Sequence, residues 1–279
     1  MATAPLSIGE VLRRSTAYLA EKGSPSPRLD ADLLLAHALG MERIQLYTDS
    51  ERPLTPPELD RARELVGRRG RREPMAYLTG RRAFRRLQLD VGPGVLVPRP
   101  ETEVLVEWAL AVAPEGGSVL DWGTGSGAVA LALADEGPAL RVTGLDRSPE
   151  ALAVAAANDH AGAVEWLGSE GFAAVAGRRF DVIVANPPYL SPADLAAAPP
   201  ELRFEPEGAL VAGPSGMEAI AAIAAEAPGH LEPGGWVLIE VGDGQAGAAE
   251  ALLAGAGLTD VGHREDLAGI ARTVGARRG

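Results

Sequence analysis

Two hydrophobic periodicities meet near residue 80. Before it, apolar residues recur at helical spacing. Ser7 is placed to cap a helix carrying Val11, Leu12, Ala17 and Leu19, and Leu29 to Leu39 follows with Leu33, Leu34, Leu35, Ala38 and Leu39 on a broad apolar face. Thr55-Pro56-Pro57-Glu58 opens a third helix, with Thr55 as N-cap and proline in the first turn, running to about Gly70. Glu73 to Gly80 reads as a loop, and Phe84 to Val91 alternates like a short hairpin strand. Gly92-Pro93-Gly94 and Pro98-Arg99-Pro100 then punctuate the passage into a second region.

From Glu101 the pattern alternates between strands and helices, the signature of a parallel sheet with right-handed crossovers. Helices are expected at Glu101–Val112, Ala128–Ala134, Pro149–Asn158, Met217–Ala225 and Ala246–Ala256. The intervening strands are Ser118–Asp121, Arg141–Asp146, Val164–Leu167, Asp181–Ala185 and Trp236–Val241, and Thr259–His263 with Ile270–Gly275 form a final antiparallel pair. No internal repeat or low-complexity tail interrupts this order. The expected fold class is α/β.

At 279 residues the chain suits one large domain, or a large one with a small one. No stretch reaches the length of a membrane span and no charged-then-apolar signal opens the sequence, so a soluble, cytoplasmic protein is expected. Cysteine is absent, which excludes disulfides and thiolate metal sites, and His37, His160, His230 and His263 lack metal-ligand spacing, so no metal is expected. The net charge of −12 is unevenly spread. Residues 1–90 carry 16 Lys or Arg against 12 Asp or Glu, whereas residues 91–279 carry 10 against 26. The larger, acidic part would repel nucleic acid. The basic excess lies in Arg61–Arg86, with Arg68, Arg69, Arg71, Arg72, Arg81, Arg82, Arg85 and Arg86, and reads as a solvated helix face rather than a docking patch.

Val119-Leu120-Asp121-Trp122 runs into Gly123-Thr124-Gly125-Ser126-Gly127, a strand followed by a glycine-rich turn that opens a helix. Alternate glycines allow close approach of a ligand and positive φ. Asp146 ends the next strand, where a carboxylate can accept both hydroxyls of a ribose. Gly123-x-Gly125-x-x-Ala128 also satisfies the loose dinucleotide fingerprint, and a turn serving only strand–helix packing is the plainer alternative. Asp121 tips the choice. A carboxylate in the crevice suits a cationic ligand and disfavours a pyrophosphate, so S-adenosylmethionine fits and NAD does not.

Asn186-Pro187-Pro188-Tyr189 follows the buried run Phe180–Ala185 and specifies chemistry. The prolines end the strand and delete two backbone donors, leaving carbonyls beside the Asn186 side-chain oxygen. Such a cluster of acceptors holds a planar NH₂ group, orients its nitrogen and raises its electron density. Tyr189 can form a flat wall against the planar group. Asn186, Pro187 and Tyr189 are therefore the catalytic candidates, and Asn186 to Tyr189 together the substrate-binding ones. A carboxamide and the exocyclic amine of a nucleobase both satisfy this description.

With both motifs in hand, the chain resembles the bacterial release factor glutamine methyltransferases (the HemK/PrmC family) over nearly its whole length. The resemblance rests on Asp30-Ala31-Asp32-Leu33-Leu34-Leu35-Ala36-His37, Glu73-Pro74-Met75-Ala76-Tyr77-Leu78-Thr79-Gly80 and Leu96-Val97-Pro98-Arg99-Pro100-Glu101-Thr102-Glu103. It continues in Arg203-Phe204-Glu205-Pro206, Ala209-Leu210, Gly216-Met217, and Asp266-Leu267-Ala268-Gly269 with Arg272. It implies a seven-stranded, mostly parallel Rossmann-like methyltransferase sheet. The implied domains are a helical substrate-recognition domain at 1–82, a hairpin and linker at 83–100, and an S-adenosylmethionine-dependent methyltransferase domain at 101–279. The implied acceptor is the glutamine of the Gly-Gly-Gln motif in class 1 peptide-chain release factors. By the same resemblance Asp121, Gly123, Thr124, Gly125, Ser126, Gly127, Asp146, Gly171, Phe172 and Asn186 line the cofactor pocket, with Arg99 and Glu101 bordering the crevice. Trp122 departs from the family's usual Leu or Val, Phe84-Arg85 from its Phe-aromatic pair, and Glu170-Gly171-Phe172 from its Asp-aromatic pattern, which leaves either Phe172 or no aromatic to stack on adenine. Glu205 reads as a helix cap or a partner of Arg203. A ribosomal-protein glutamine methyltransferase and a nucleic-acid amino methyltransferase are the competing readings.

Overall fold

A computed structural model describes residues 6–279. The chain forms two compact units: one holds the described residues up to Gly80 together with Pro199–Phe204, the other Arg81–Ala198 and Glu205–Gly279.

The first unit is helical, with α1 (Ile8–Glu21), α2 (Pro27–Leu39), α3 (Gln45–Thr48), α4 (Pro56–Gly70) and α5 (Met75–Thr79). Ser7 caps α1 through the Glu10 N–H, and the Glu58 carboxylate takes the Thr55 N–H at 2.8 Å to start α4. The apolar stripes of α1, α2 and α4 meet in a core of Ile8, Leu12, Leu19, Leu34, Leu35, Leu46 and Leu65. The segment expected to be a loop contains α5, because Ala76, Tyr77 and Leu78 are buried and so favour a turn of helix. Gly80, at φ +75, stops it.

Arg61, Arg63, Arg71, Arg81 and Arg86 are exposed, as a solvated face requires, but part of the arginine run is not. Arg69 is 4 % exposed, holds Asp30 at 2.7 Å and Glu201 at 3.0 Å, and also donates to the Glu73 carbonyl. Arg72 shares Glu201 and reaches the Gly23 carbonyl, and Arg68 pairs with Glu73. Glu201 thereby secures Pro199–Phe204 to this unit. These cations are internal fasteners.

In the second unit, β1 (Arg81–Phe84) and β2 (Leu87–Asp90) form a separate hairpin in place of the single strand expected at Phe84–Val91. Arg85, at φ +51, makes the turn, and its guanidinium is anchored by Glu136 and Glu107, each at 2.7 Å. There follow α6 (Glu103–Val112), β3 (Ser118–Trp122), α7 (Ala128–Glu136), β4 (Arg141–Asp146), α8 (Pro149–Asn158), β5 (Val164–Gly168), β6 (Phe180–Ala185), α9 (Pro192–Ala197), α10 (Glu218–His230), β7 (Leu231–Glu240), α11 (Ala246–Gly255), β8 (Thr259–Glu265) and β9 (Ala271–Arg277). Among the described residues these strands make a seven-stranded sheet in the order β5-β4-β3-β6-β7-β9-β8. All pairs are parallel except β7–β9 and β9–β8.

This is the α/β sheet that the alternation predicts. Its central strands read as unbroken apolar runs because helices cover both faces, and Val119, Leu120, Val182, Ile183, Val184 and Val237 are fully buried. β7 begins at Leu231, five residues before the expected Trp236, since Leu231 pairs with Phe180 before a register shift at Glu232–Gly235. The order in which successive strands are added reverses between β3 and β6, so a topological switch point lies between their carboxyl ends.

Arg69→Ala leaves Asp30 buried without its cation. It is expected to cost about 3–5 kcal/mol, as breaking a buried ion pair does. The shift in urea midpoint, followed by far-UV circular dichroism, measures this, and a change under 1 kcal/mol would show the cluster to be as weak as a surface pair.

Candidate active site

β3 and β6 pair in parallel with Trp122 opposite Ala185. The next residues, Gly123 and Asn186, therefore leave the sheet side by side, about 4.8 Å apart across the ladder. A cavity of about 780 Å³ opens over this edge, in the size range of small-molecule sites. Asp121, Trp122, Gly123, Thr124, Gly125, Ser126, Asp146, Gly171, Phe172, Asn186 and Pro188 line it. Gly127, Pro187 and Tyr189 do not form part of its wall.

The glycine turn follows from its backbone. Gly123, Gly125 and Gly127 have φ of +75, +57 and +82, conformations that L side chains rarely adopt. Added Cβ atoms at Gly123 and Gly125 would meet nothing within 4 Å, whereas one at Gly127 would come within 3.0 Å of Trp166. Gly127 thus serves the packing of α7, whose N-terminus it caps. Asp146 fixes the turn: Oδ2 accepts the Gly125 N–H and Oδ1 the Ser148 N–H, each at 2.9 Å. Each carboxylate oxygen has a second lone pair, so the group can still accept from two hydroxyls.

Asp121 lies deeper, 1 % exposed, accepting from Thr124 Oγ1 at 2.6 Å and from the Ala130 N–H at 3.2 Å. Burial pushes its carboxyl up to about 7, and the charge of Asp146 adds to the shift. Glu170, Glu218 and Glu226 also border the cavity, against the single guanidinium of Arg147. The lining is acidic and suits a ligand with positive charge. Phe172 is 3 % exposed and stacks on His230, with ring centroids 4.7 Å apart, while Trp122 lies tilted 6.5 Å away. One face of Phe172 is thus taken by the protein itself.

At the other end of the cavity, Asn186 Nδ2 donates to Thr102 Oγ1 at 3.1 Å, which turns the Asn186 oxygen the opposite way. The Tyr189 carbonyl is held by Gln245 Nε2 at 2.9 Å. Burial, then the nearby Glu240 charge, pushes the Tyr189 phenol up to about 12. Glu205 pairs with Arg99 and accepts the Val97 N–H at 2.9 Å, instead of capping a helix or meeting Arg203. Both Glu205 and Arg99 belong to the second unit, and the pair pins the chain just before Thr102. The sequence reading missed Thr102 and Glu240. An acid ending an apolar strand at the same sheet edge as Asp121 and Asp146 was the available signal for Glu240.

A cavity at the switch point, a glycine turn after its first strand and an acid ending the second give the chain a Rossmann-like ligand site. Residues 82–198 match the methyltransferase small domain model, and residues 10–80 match that of the PrmC N-terminal domain. Two solved structures share the fold. A Pyrococcus furiosus methyltransferase has a TM-score of 0.53 at 21% identity, covering 68% of this chain and 88% of that one. A T. thermophilus 16S rRNA methyltransferase has a TM-score of 0.53 at 23% identity, covering 71% and 50%. Proteins named release factor glutamine methyltransferase are much nearer in sequence. That of Geobacter sulfurreducens is 43% identical, with 98% of this chain and 97% of its own length covered. That of Burkholderia pseudomallei is 45% identical over 94% and 96%. The chain belongs to the release factor glutamine methyltransferase family.

The raised Asp121 carboxyl makes stability depend on pH. Its folded pKa, about 7, lies above the ordinary 3.8, so the folded state keeps a proton that the unfolded chain has lost. That contribution is complete below pH 4 and is lost as pH rises toward 7, at no more than about 1.4 kcal/mol per unit. Asp121→Asn should therefore gain on the parent protein in melting temperature between pH 5 and pH 7. A constant difference across that range would refute the assignment.

Proposed function

We propose that this protein transfers a methyl group from S-adenosylmethionine to the side-chain amide nitrogen of the glutamine in the Gly-Gly-Gln motif of class 1 peptide-chain release factors. Family membership supports the reaction and substrate class. The observation that carries the assignment of the site is the Asn186 carboxamide, whose nitrogen is engaged by Thr102 and whose oxygen is thereby available beside a run of two prolines.

The residues present fit the cofactor. S-adenosylmethionine bears an ammonium and a sulfonium against one carboxylate, which the acidic lining favours, and supplies an electrophilic methyl group when bound. Gly123 to Ser126 provide a turn without Cβ obstruction on its open side, Asp146 retains lone pairs for ribose hydroxyls, and Asp121 offers charge at the cavity floor. Gly171 and Phe172 border the same space, and Gly127 contributes by holding the turn. Asn186 Oδ1 and the Pro187 carbonyl would accept the two N–H groups of the glutamine amide, fixing its plane and enriching its nitrogen. Pro188 would form the wall beside it, and Tyr189, which does not line the cavity, would hold the segment through its carbonyl bond to Gln245. In this reading the helical unit recognises the release factor and the protein works in the cytoplasm. Among the described residues no helix is long and apolar enough to cross a membrane.

The test offers S-adenosylmethionine with a release factor, ribosomal protein and duplex DNA in parallel, and mass spectrometry locates the methyl. One methyl on the Gly-Gly-Gln peptide, lost when that glutamine is replaced, is the expected result. A methyl on ribosomal protein or DNA alone would replace the proposal with a competing reading. Asn186→Ala should lower turnover about 100- to 1,000-fold with little change in cofactor affinity. Asp146→Ala should weaken cofactor binding first, by about ten- to a hundredfold, as loss of charged hydrogen bonds does.

A further inference from the structure

Asn186 can present its carboxamide in two orientations that exchange oxygen and NH₂, and only one of them grips an N–H donor. Its Nδ2 donates to Thr102 Oγ1. Thr102 is 4 % exposed and immediately precedes α6. A hydroxyl that accepts one hydrogen bond still has its own proton to give. The buried carboxyl of Glu240, the last residue of β7, is the group whose acidity Thr102 strengthens.

Glu240 is 2 % exposed. Among the described residues neither its Oε2 nor Oγ1 of its cross-strand partner Thr273 has a hydrogen-bond partner. Placing a carboxyl so far from water is costly, and packing alone would favour an apolar residue there.

We propose that Thr102 and Glu240 are positioning residues for methyl transfer: Glu240 takes the Thr102 hydroxyl proton, Thr102 Oγ1 takes Asn186 Nδ2–H, and Asn186 is locked with Oδ1 toward the acceptor amide. This deepens the functional reading above and rests on it. An ionised Glu240 can only accept, which fixes the direction of both bonds. A protonated Glu240 can donate to Thr102 instead, and the Thr102 proton is then free to turn toward Asn186 Oδ1 and release the flip. The charged and titratable groups facing Glu240 are Glu101 and Arg99 ahead of α6, Arg272 on β9, and Tyr189 after β6. Arg272 is itself paired with Asp266 at 2.8 Å. Burial raises the Glu240 carboxyl to about 7, with the hydrogen bond from Thr102 drawing it back, so the change of direction falls near neutrality.

The experiment compares the full-length parent protein with Thr102→Ser, Thr102→Val and Glu240→Gln, using a release factor at saturating S-adenosylmethionine. Thr102→Val should lower kcat about 10- to 100-fold while the cofactor Kd from calorimetry stays within about twofold, and Thr102→Ser should restore most of the loss. The parent kcat should rise with pH through an inflection near 7. Glu240→Gln should flatten that rise. In nitrogen-15 spectra the Asn186 side-chain amide, identified by its disappearance in Asn186→Ala, should exchange slowly in the parent and Thr102→Ser and fast in Thr102→Val. An unchanged kcat in Thr102→Val, equal losses of kcat and cofactor affinity, or an amide signal indifferent to Thr102 would each overturn the proposal. Should the parent methylate no release factor, the functional reading fails separately, and the amide signal still decides whether Thr102 sets the orientation of Asn186.

Discussion

The pairing of β3 with β6 is the constraint from which the site follows. Because the two strands run parallel and in register, the glycine turn and the Asn-Pro-Pro-Tyr segment emerge at the same height on one sheet edge. Neither segment needs a long loop to reach the other. The backbone ladder, buried on both faces, sets their separation to within the spread of strand spacing. Side chains then only refine what the ladder has placed: Asp146 tightens the turn through Gly125, and Thr102 orients Asn186.

The prolines act in the same economy. A strand end usually exposes both donors and acceptors. At Pro187 and Pro188 the donors are removed, so the backbone there can offer acceptors only. The Tyr189 carbonyl is occupied by Gln245, and the neighbouring Leu190 joins Leu210 and Ala212 through backbone bonds. The chain is thus tied down directly after the segment.

Much of this was legible before any coordinates. Alternating apolar runs gave the order of strands and helices from Ser118 to Gly275, and spacing alone joined the glycine turn to Asp146. What stayed hidden depends on partners distant in sequence. Arg69 reads as one more cation in a basic run, yet Asp30 and Glu201, the latter far along the chain, make it a buried fastener. Arg85 looked like the end of that run, and it is a turn residue with positive φ anchored on α6 and α7. Thr102 sits in a helix-opening motif where threonine is ordinary, so nothing local distinguishes a cap from a lever on Asn186. Phe172 looked free to stack, but His230 at the end of α10 covers one of its faces.

The sheet edge collects Asp121, Asp146 and Glu240, each at the carboxyl end of a strand. Parallel strands force this convergence: acids far apart in sequence end up beside one another because their strands stop at one edge. Two of them pay for it with carboxyl groups raised to about 7, and for Asp121 the charge of Asp146 is part of the cause. A cation seated near Asp121 lowers that cost and draws the proton off, so affinity for a positively charged ligand is coupled to ionisation of the cavity floor. Near Glu240 the same burial is partly offset by Thr102. Asp121 and Glu240 are equally buried, so what distinguishes them is their neighbours: the Asp146 charge and the cavity for the first, the Thr102 side chain for the second.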